Sequence, residues 1–483
     1  MSLYAGIDIP GCPDLDNVRK LDLAIIPFLR RAKRLGIAID RDHFPRLKSE
    51  FCAEISTLER DISSYIPVER LAEFSTRSAE IEEESGGIEF NASSAVQIGK
   101  LLFDMLGVGK DKPLKRTKGG TSLSTGKKQL ELVKADHPIV PLVLRHRELK
   151  KLVTTYCTLP ELARFHPRGE CCPVCELRHD SDQWRIHGEM GTTRAQTWRI
   201  NHKSPNLGNI PTRTEDGQKV QAGFIAPPGM KLVIWDMSQI ELRGLAHLSN
   251  CKSMIQVYLD GGDLHDDTCH RALGVPWDVK PDKIKHRMAA KRVNFGIQNG
   301  TTEKGLYMQL VMDFGTNKIP IPKWLTETWC KQFIIDWLES RPEVVEYFQL
   351  QWFRARRYGR VWNPFGFCRL VPEVRSVHSW IRDAGLRQAQ NLPVTSTAAG
   401  QLKLSMVKSN DLLQRMYDDS NWCWPLLTIH DAIMVEAAEE IAEEVGEVIG
   451  VSMNTCMTDE DSREHRFRVP IESDGQVVDR WEK

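Results

Sequence analysis

The stretch 283–300, KIKHRMAAKRVNFGIQNG, constrains this chain more than any other. Arg287, Lys291, Phe295 and Asn299 recur every fourth residue, so on a helix they line one face. Two cations, a ring and an amide make a poor core stripe, because burying a charged head without a partner is costly. They suit a ligand that is anionic and flat-faced: the cations meet a triphosphate and the ring meets a sugar or base. The competing reading is a solvated basic face with one aromatic turned inward, so the rest of the chain has to decide.

At 483 residues with 41% hydrophobic content, the chain has room for several packed subdomains. Its net charge is zero, so any basic surface is local. That argues against a purely electrostatic nucleic-acid coat and leaves open an enzyme with a basic cleft. The twelve cysteines are scattered except at 171–175. The N-terminus has no apolar signal core and no run approaches membrane-spanning length. A reduced, soluble, cytoplasmic protein with no membrane partner is the expectation.

Along the chain, LAIIPFLRRAKRLGIAID has helical spacing and ends in a strand-like IAID, and a second helix is predicted over roughly 41–65 with Asp40 as cap. Asn91 or Ser93 is the expected cap of AVQIGKLLFDML. The segment 108–128, rich in Lys, Gly, Ser and Thr, reads as a mobile basic loop, either a solvated linker or a strap for phosphates. Helices resume over 128–156. Within HPRGECCPVCELRH, Cys172-x2-Cys175-x3-His179 has the ligand spacing of a zinc site, with Cys171, His166 or Cys157 as fourth ligand. The bland alternative is a loop with free thiols. KLVIWD reads as a short buried strand ending in Asp236, followed by the helix IELRGLAHLS. Helical material fills 250–383. NWCWPLLTIHDAIMVEA reads as a hairpin with His430 and Asp431 at its tip, then a helix and a closing strand RFRVPIES.

Asp236 and Asp431 each end an apolar run, where a carboxylate must be exposed, paired or bound to metal. On neighbouring strands they would suit two divalent cations set for in-line phosphoryl displacement, and oxygen-only ligands suit magnesium. For either aspartate alone, a turn or cap role is the simpler reading.

WDMSQIELR, RMAAKRVNFGIQNG and LTIHDAIMVE, in this order, resemble the three signature motifs of family A DNA polymerases, the bacterial DNA polymerase I family. Further matches, among them PNLGNIPTR, GGDLHDDTCHRALGVP and NLPVTSTAAGQLKLSM, extend the resemblance from about residue 22 to the C-terminus. The resemblance implies an α+β right-hand fold, an antiparallel palm sheet with helical thumb and fingers. A short segment 1–21 would precede a thumb over 22–165 and a Cys/His-containing insertion at 166–182. The palm would comprise 183–242 and 376–483, and the fingers 243–375.

Carried over residue by residue, Asp236 and Asp431 would ligate two magnesium ions, assisted by the Met237 carbonyl. Arg287, Lys291 and His265 would hold the incoming triphosphate, with Lys291 also a general acid for the leaving pyrophosphate. Phe295 would pack on sugar and base. Glu241 resembles the steric gate against a 2′-hydroxyl, and Gln239 and Asn299 would complete the nucleotide pocket. Arg194, Asn206, Asn209, Arg387, Asn391 and His430 match duplex-contacting positions near the primer terminus. Lys115, Arg116 and their neighbours Lys110, Lys112 and Lys118 would meet phosphates at the thumb tip.

The implied activity is template-directed addition of deoxynucleotides to a primer 3′ end, in replication or repair. The alternative is a catalytically silent DNA-binding or processivity module on the same fold. With about twenty residues ahead of the thumb, neither a 3′–5′ nor a 5′–3′ exonuclease is expected, which would suit a virus- or plasmid-like replicase. Primer-template DNA and deoxynucleoside triphosphates are the implied partners of a monomer, with a separate exonuclease, helicase or primase as the class of accessory protein. The chain departs from the family pattern at Asn299, usually tyrosine, and at Ala432, usually glutamate. It departs again at Thr193, Gly208 and Thr395. Altered fidelity or sugar discrimination is expected, with Asn299 still donating a hydrogen bond to Glu241.

Overall fold

In the computed structural model the residues described are 15–74, 90–112, 114–117, 119–120, 122–169, 171–212, 214–282, 286–316, 319–416, 423–457 and 467–482. Lys118 therefore lies outside the described residues, as do 283–285 at the start of the basic helical stretch. The chain divides into two compact units. One comprises 1–38, 164–209 and 225–480, and the other 39–163, 210–224 and 481–483.

The larger unit is built on a four-stranded antiparallel sheet. Its strand order is Ser473–Val478, Met230–Met237, Ala432–Ala438, Cys423–Ile429. The last two form the expected hairpin, and every residue in both strands is buried. Apolar runs with both faces covered read as continuous rather than alternating, as here. The helices Ala442–Asn454 and Ser379–Met416 complete this core with Val233, Ile433, Val435, Ile449 and Met406. The helix Ala442–Asn454 comes close to the sheet through glycine: a Cβ at Gly446 would lie 2.5 Å from the Trp235 ring, leaving no room for a side chain. The closing strand is SDGQVV, not RFRVPIES, of which residues 467–472 carry no strand. Ser, Asp and Gly are poor strand formers, and pairing with Met230–Met237 overrides that local preference.

A second core in the same unit gathers helices between 240 and 358, including Ile240–Ser249, Leu264–Leu273, Met288–Gln298 and Pro342–Tyr358. A small hairpin, Arg360–Trp362 with Cys368–Leu370, interrupts the helical run expected over 250–383. Near the chain start, Ile26–Leu35 leads into Ile37–Ala38, which pairs with Gln183–Ile186. Arg185 on that strand is fully buried. It donates to Gly36 O (2.9 Å), Gln183 Oε1 (2.6 Å) and Glu436 Oε1 (2.6 Å).

The smaller unit packs His43–Ser63 against Ile139–Thr155 over a core that includes Ile62, Leu101, Leu130 and Val143. Asp40 caps the first helix indirectly, its Oδ1 accepting from the backbone of Asp42 and His43 at 3.1 Å. Ser94, rather than Asn91 or Ser93, caps Ala95–Gly99 by accepting from Gln97 N. The helix then widens to π geometry over Lys100–Met105. The basic loop is folded rather than unstructured. Thr117 N donates to Ser122 O and Ser124 N to Lys115 O, Arg116 reaches Gly120 O (3.1 Å), and Lys112 pairs with Asp136 (2.6 Å). Lys115 and Arg116 remain exposed.

Candidate active site

Strand pairing brings the two aspartates together. Asp236 sits opposite Ala432, the residue after Asp431, and Met237 N donates to Asp431 O at 3.3 Å. His430 occupies the tight turn at φ 55°, which lets the hairpin reverse within two residues. Both carboxylates are half-buried. Ala432, where an accessory acid was expected from the family pattern, is buried in the sheet. The donor set is one carboxylate on a strand and one on the turn of the neighbouring hairpin, with the Met237 carbonyl following Asp236. Hard oxygen ligands of this kind fit a divalent cation such as magnesium that keeps further positions for water and phosphate.

Arg199, which the sequence reading missed, links this pair to the helix Met288–Gln298. Its guanidinium pairs with Glu241 and lies 3.7 Å from Asp431 Oδ1. Glu241 also accepts from Gln298 Nε2 at 3.0 Å, and Gln298 Nε2 reaches Asn391 Oδ1 at 3.1 Å. Asn299 does not bond Glu241. It donates to Phe295 O (2.7 Å) and accepts from Asn391 Nδ2 (2.5 Å). The reason is helical phase: Asn299 is the residue that ends the helix, while Gln298 points inward from its last turn. Arg287 likewise stands at the other end of the helix, before its first residue.

Arg287 is ion-paired with Asp263 and with Asp266, the latter at 2.7 Å between Nε and Oδ1 but off the line of a proper hydrogen bond. Lys291 and Phe295 follow on the same face, Lys291 exposed and the Phe295 ring 5.8 Å from that of His265. His265 is buried, which pushes its pKa down to about 4 and leaves it neutral. Its tautomer follows from Asn294. Trp337 Nε1 donates to Asn294 Oδ1 (3.1 Å), so the Asn294 amide nitrogen faces His265 Nδ1 (3.1 Å). Nδ1 therefore accepts, and the proton sits on Nε2. Gln239, at φ 50° just before Ile240–Ser249, accepts from the buried Tyr258 hydroxyl at 3.2 Å.

The residues expected at a duplex are spread over several elements. Arg194 is exposed in the segment between two short strands, and Asn206 and Asn209 are exposed at the turn Leu207–Asn209. Arg387 and Asn391 lie on the long helix Ser379–Met416, where Arg387 packs over Gly300, and His430 is exposed on the hairpin turn. Gly208 has a local cause: a Cβ there would lie 2.6 Å from the His202 ring, so the imidazole occupies the space a longer side chain would need. Thr395 turns back on its own helix, its hydroxyl donating to Leu392 O at 3.1 Å. A separate group in the larger unit comprises His166, Cys172, Cys175 and His179, all buried, with ligand atoms within 4.8 Å of one another. His166 supplies the fourth member, whereas Cys171 is exposed. Among the described residues no helix is long and apolar enough to cross a membrane.

A strand carboxylate and a turn carboxylate, tied through Arg199 and Glu241 to a cation-bearing helix, are groups that could hold a divalent cation beside a bound phosphate. The family described as DNA polymerase family A matches residues 68–483. The chain belongs to this family, whose members use divalent metal ions. It is 32% identical over 425 residues to a thermostable DNA polymerase I of Thermus aquaticus, covering 88% of this chain and 44% of that protein. It is 31% identical over 440 residues to the DNA polymerase I of Deinococcus radiodurans, covering 89% and 40%. The chain thus spans less than half the length of these relatives. The POL domain of Pol1 from M. smegmatis, solved with DNA primer-template and dNTP, matches with a TM-score of 0.75 and 25% identity over 97% of this chain and 72% of that one.

Proposed function

We propose that this chain is a template-directed DNA polymerase that extends a primer 3′ end with deoxynucleoside triphosphates, using two magnesium ions held by Asp236, Asp431 and the Met237 carbonyl. The observation that carries the reading is the register Asp236 opposite Ala432, which sets both carboxylates at one end of the sheet. Bound there, the ions would supply charge neutralisation for the attacking and leaving oxygens. The protein's own contribution is positioning. Arg287 exchanges Asp263 and Asp266 for phosphate oxygens when a triphosphate arrives, so the acids keep the guanidinium oriented beforehand. Lys291 adds a second cation and a proton source for pyrophosphate. Neutral His265 offers Nε2–H to a phosphate oxygen, and Phe295 packs on the sugar.

Glu241 acts as the sugar gate. Arg199 and Gln298 hold both of its oxygens, so it cannot swing aside for a 2′-hydroxyl. Glu241→Ala is expected to reduce discrimination against ribonucleotides by about 10–100-fold, as for other pockets that reject a single hydroxyl by shape. Paired single-nucleotide insertion rates with dNTP and rNTP check this, and an unchanged ratio removes Glu241 from the role. Arg194, Asn206, Asn209, Arg387, Asn391 and His430 are assigned to the primer-template. In the smaller unit, read as the thumb, Lys115 and Arg116 are assigned to its backbone. Because Asn299 bonds Asn391 rather than Glu241, its departure from tyrosine is expected to act on the template side, and Asn299→Tyr to change misincorporation more than sugar choice.

His265 also gives stability a pH dependence. Its folded-state pKa, about 4, lies below the ordinary value of 6.5. Between those pH values the unfolded chain binds the proton and the folded chain does not, so stability rises with pH across the window. Melting temperatures from pH 4 to 7 should show this rise, and His265→Asn should lessen its slope.

A further inference from the structure

The group His166, Cys172, Cys175 and His179 takes no part in the chemistry above, and its four ligand atoms are buried within 4.8 Å of one another. The separations between its ligand atoms are narrow. Cys172 Sγ–His166 Nδ1 is 3.2 Å and Cys175 Sγ–His166 Nδ1 3.4 Å. Cys175 Sγ–His179 Nε2 is 3.1 Å and His166 Nδ1–His179 Nε2 3.3 Å. A tetrahedron with zinc–sulfur bonds near 2.3 Å and zinc–nitrogen bonds near 2.0–2.1 Å has edges of about 3.3–3.8 Å. These four edges lie within about 0.5 Å of those such an ion requires, and every other pair of the four ligand atoms is within 4.8 Å.

The hydrogen bonds behind the ligands orient them. His187 Nδ1 lies 2.9 Å from Lys33 O, a carbonyl that can only accept, so that nitrogen carries the proton. In the neutral ring, His187 Nε2 is then an acceptor, and it lies 3.0 Å from His166 Nε2. His166 must donate from Nε2, which leaves the Nδ1 lone pair aimed into the cluster, as a metal-ligating histidine with a fixed outer partner would be. Val174 N donates to Cys172 Sγ at 3.4 Å, a contact that favours a thiolate. Glu176, at φ 57°, turns the chain straight after Cys175, and Arg34 reaches back to the Cys175 and Glu176 carbonyls.

We propose that these four residues bind one structural zinc ion. Binding deprotonates both thiols and releases two protons, giving two Zn–S and two Zn–N bonds with no open position for catalysis. The ion would close the loop 166–179. Through His187 and Arg34 it would clamp that loop to the helix Ile26–Leu35, beside the buried Arg185.

Metal analysis of the full chain, purified under reducing conditions without added metal, should find about one zinc per chain. Prolonged chelation should lower the melting temperature by roughly 5–10 °C, the shift expected when a native-state ligand is withdrawn. Cobalt(II) added to the chelated protein should give the visible absorption of a tetrahedral thiolate complex, and zinc should displace it. Cys175→Ser should lose the metal, while Cys171→Ser should keep it. If Cys175→Ser does not fold, the cobalt spectrum of the parent protein still decides. Metal-free protein that takes up neither ion, a Cys172–Cys175 disulfide, or loss of zinc from Cys171→Ser would each overturn the assignment. The first would leave thiol–imidazole hydrogen bonds as the whole account of the cluster.

Discussion

Asp431→Ala should abolish primer extension while leaving DNA binding nearly intact. Asp431 lies in the turn between the strands Cys423–Ile429 and Ala432–Ala438, and its backbone carbonyl stays bonded to Met237 N whatever the side chain. The substitution therefore removes a carboxylate without removing the turn. Asp236 alone is a weak holder for two divalent ions, and Glu241 cannot take over because Arg199 and Gln298 occupy its oxygens. A loss of at least about 4 kcal/mol of transition-state stabilisation corresponds to a rate reduction of about a thousandfold. Single-turnover extension beside fluorescence anisotropy on the same primer-template separates chemistry from binding. Equal loss of both would mean that the hairpin had collapsed, and Asp431→Asn, which keeps the shape, should then reproduce the selective loss.

Arg185→Ala should be the most destabilising of the single substitutions considered. The guanidinium is fully buried and holds three acceptors, one of them the carboxylate of Glu436 on the strand that follows Asp431. Glu436 Oε2 has no hydrogen-bond partner, so Oε1 depends on Arg185. Removing one member of such a pair leaves an uncompensated charge and costs about 3–5 kcal/mol. Replacing both at once should cost less: Arg185→Met with Glu436→Gln removes the charges together. Chemical denaturation of Arg185→Met, Glu436→Gln and the double variant measures the coupling. A double variant as unstable as the sum of the singles would show that the two side chains act independently.

How far the sequence revealed this arrangement depended on how local each cause was. The hairpin carrying Asp431 and the strand carrying Asp236 were legible because continuous apolar runs flank each aspartate. Their meeting was implied by the family resemblance alone, since no periodicity records the register of segments nearly two hundred residues apart. The helix Met288–Gln298 was legible from its spacing, but its ends were not: Arg287 and Asn299 fall just outside it, so Gln298 rather than Asn299 reaches Glu241. Arg199 and Asn294 were missed for the same reason. Each acts through long-range bonds, and neither belongs to a spaced pattern in its own segment. The arginine's position five residues after Arg194, in a strand-and-turn stretch, was the available signal. The fourth member of the Cys/His group stayed open between His166, Cys171 and Cys157. Pairing of Arg164–His166 with Gln183–Ile186 decides it by bringing His166 over the loop.

The central claim is that Asp236 and Asp431 form one metal-holding pair that serves nucleotide addition. Single-nucleotide extension of a labelled primer-template, with and without magnesium, tests it most directly. The account predicts addition of the templated deoxynucleotide alone, dependent on magnesium and absent in the Asp236→Ala and Asp431→Ala proteins. Tight binding of the primer-template with no extension by the parent protein would contradict it and point to a catalytically silent DNA-binding module on the same fold.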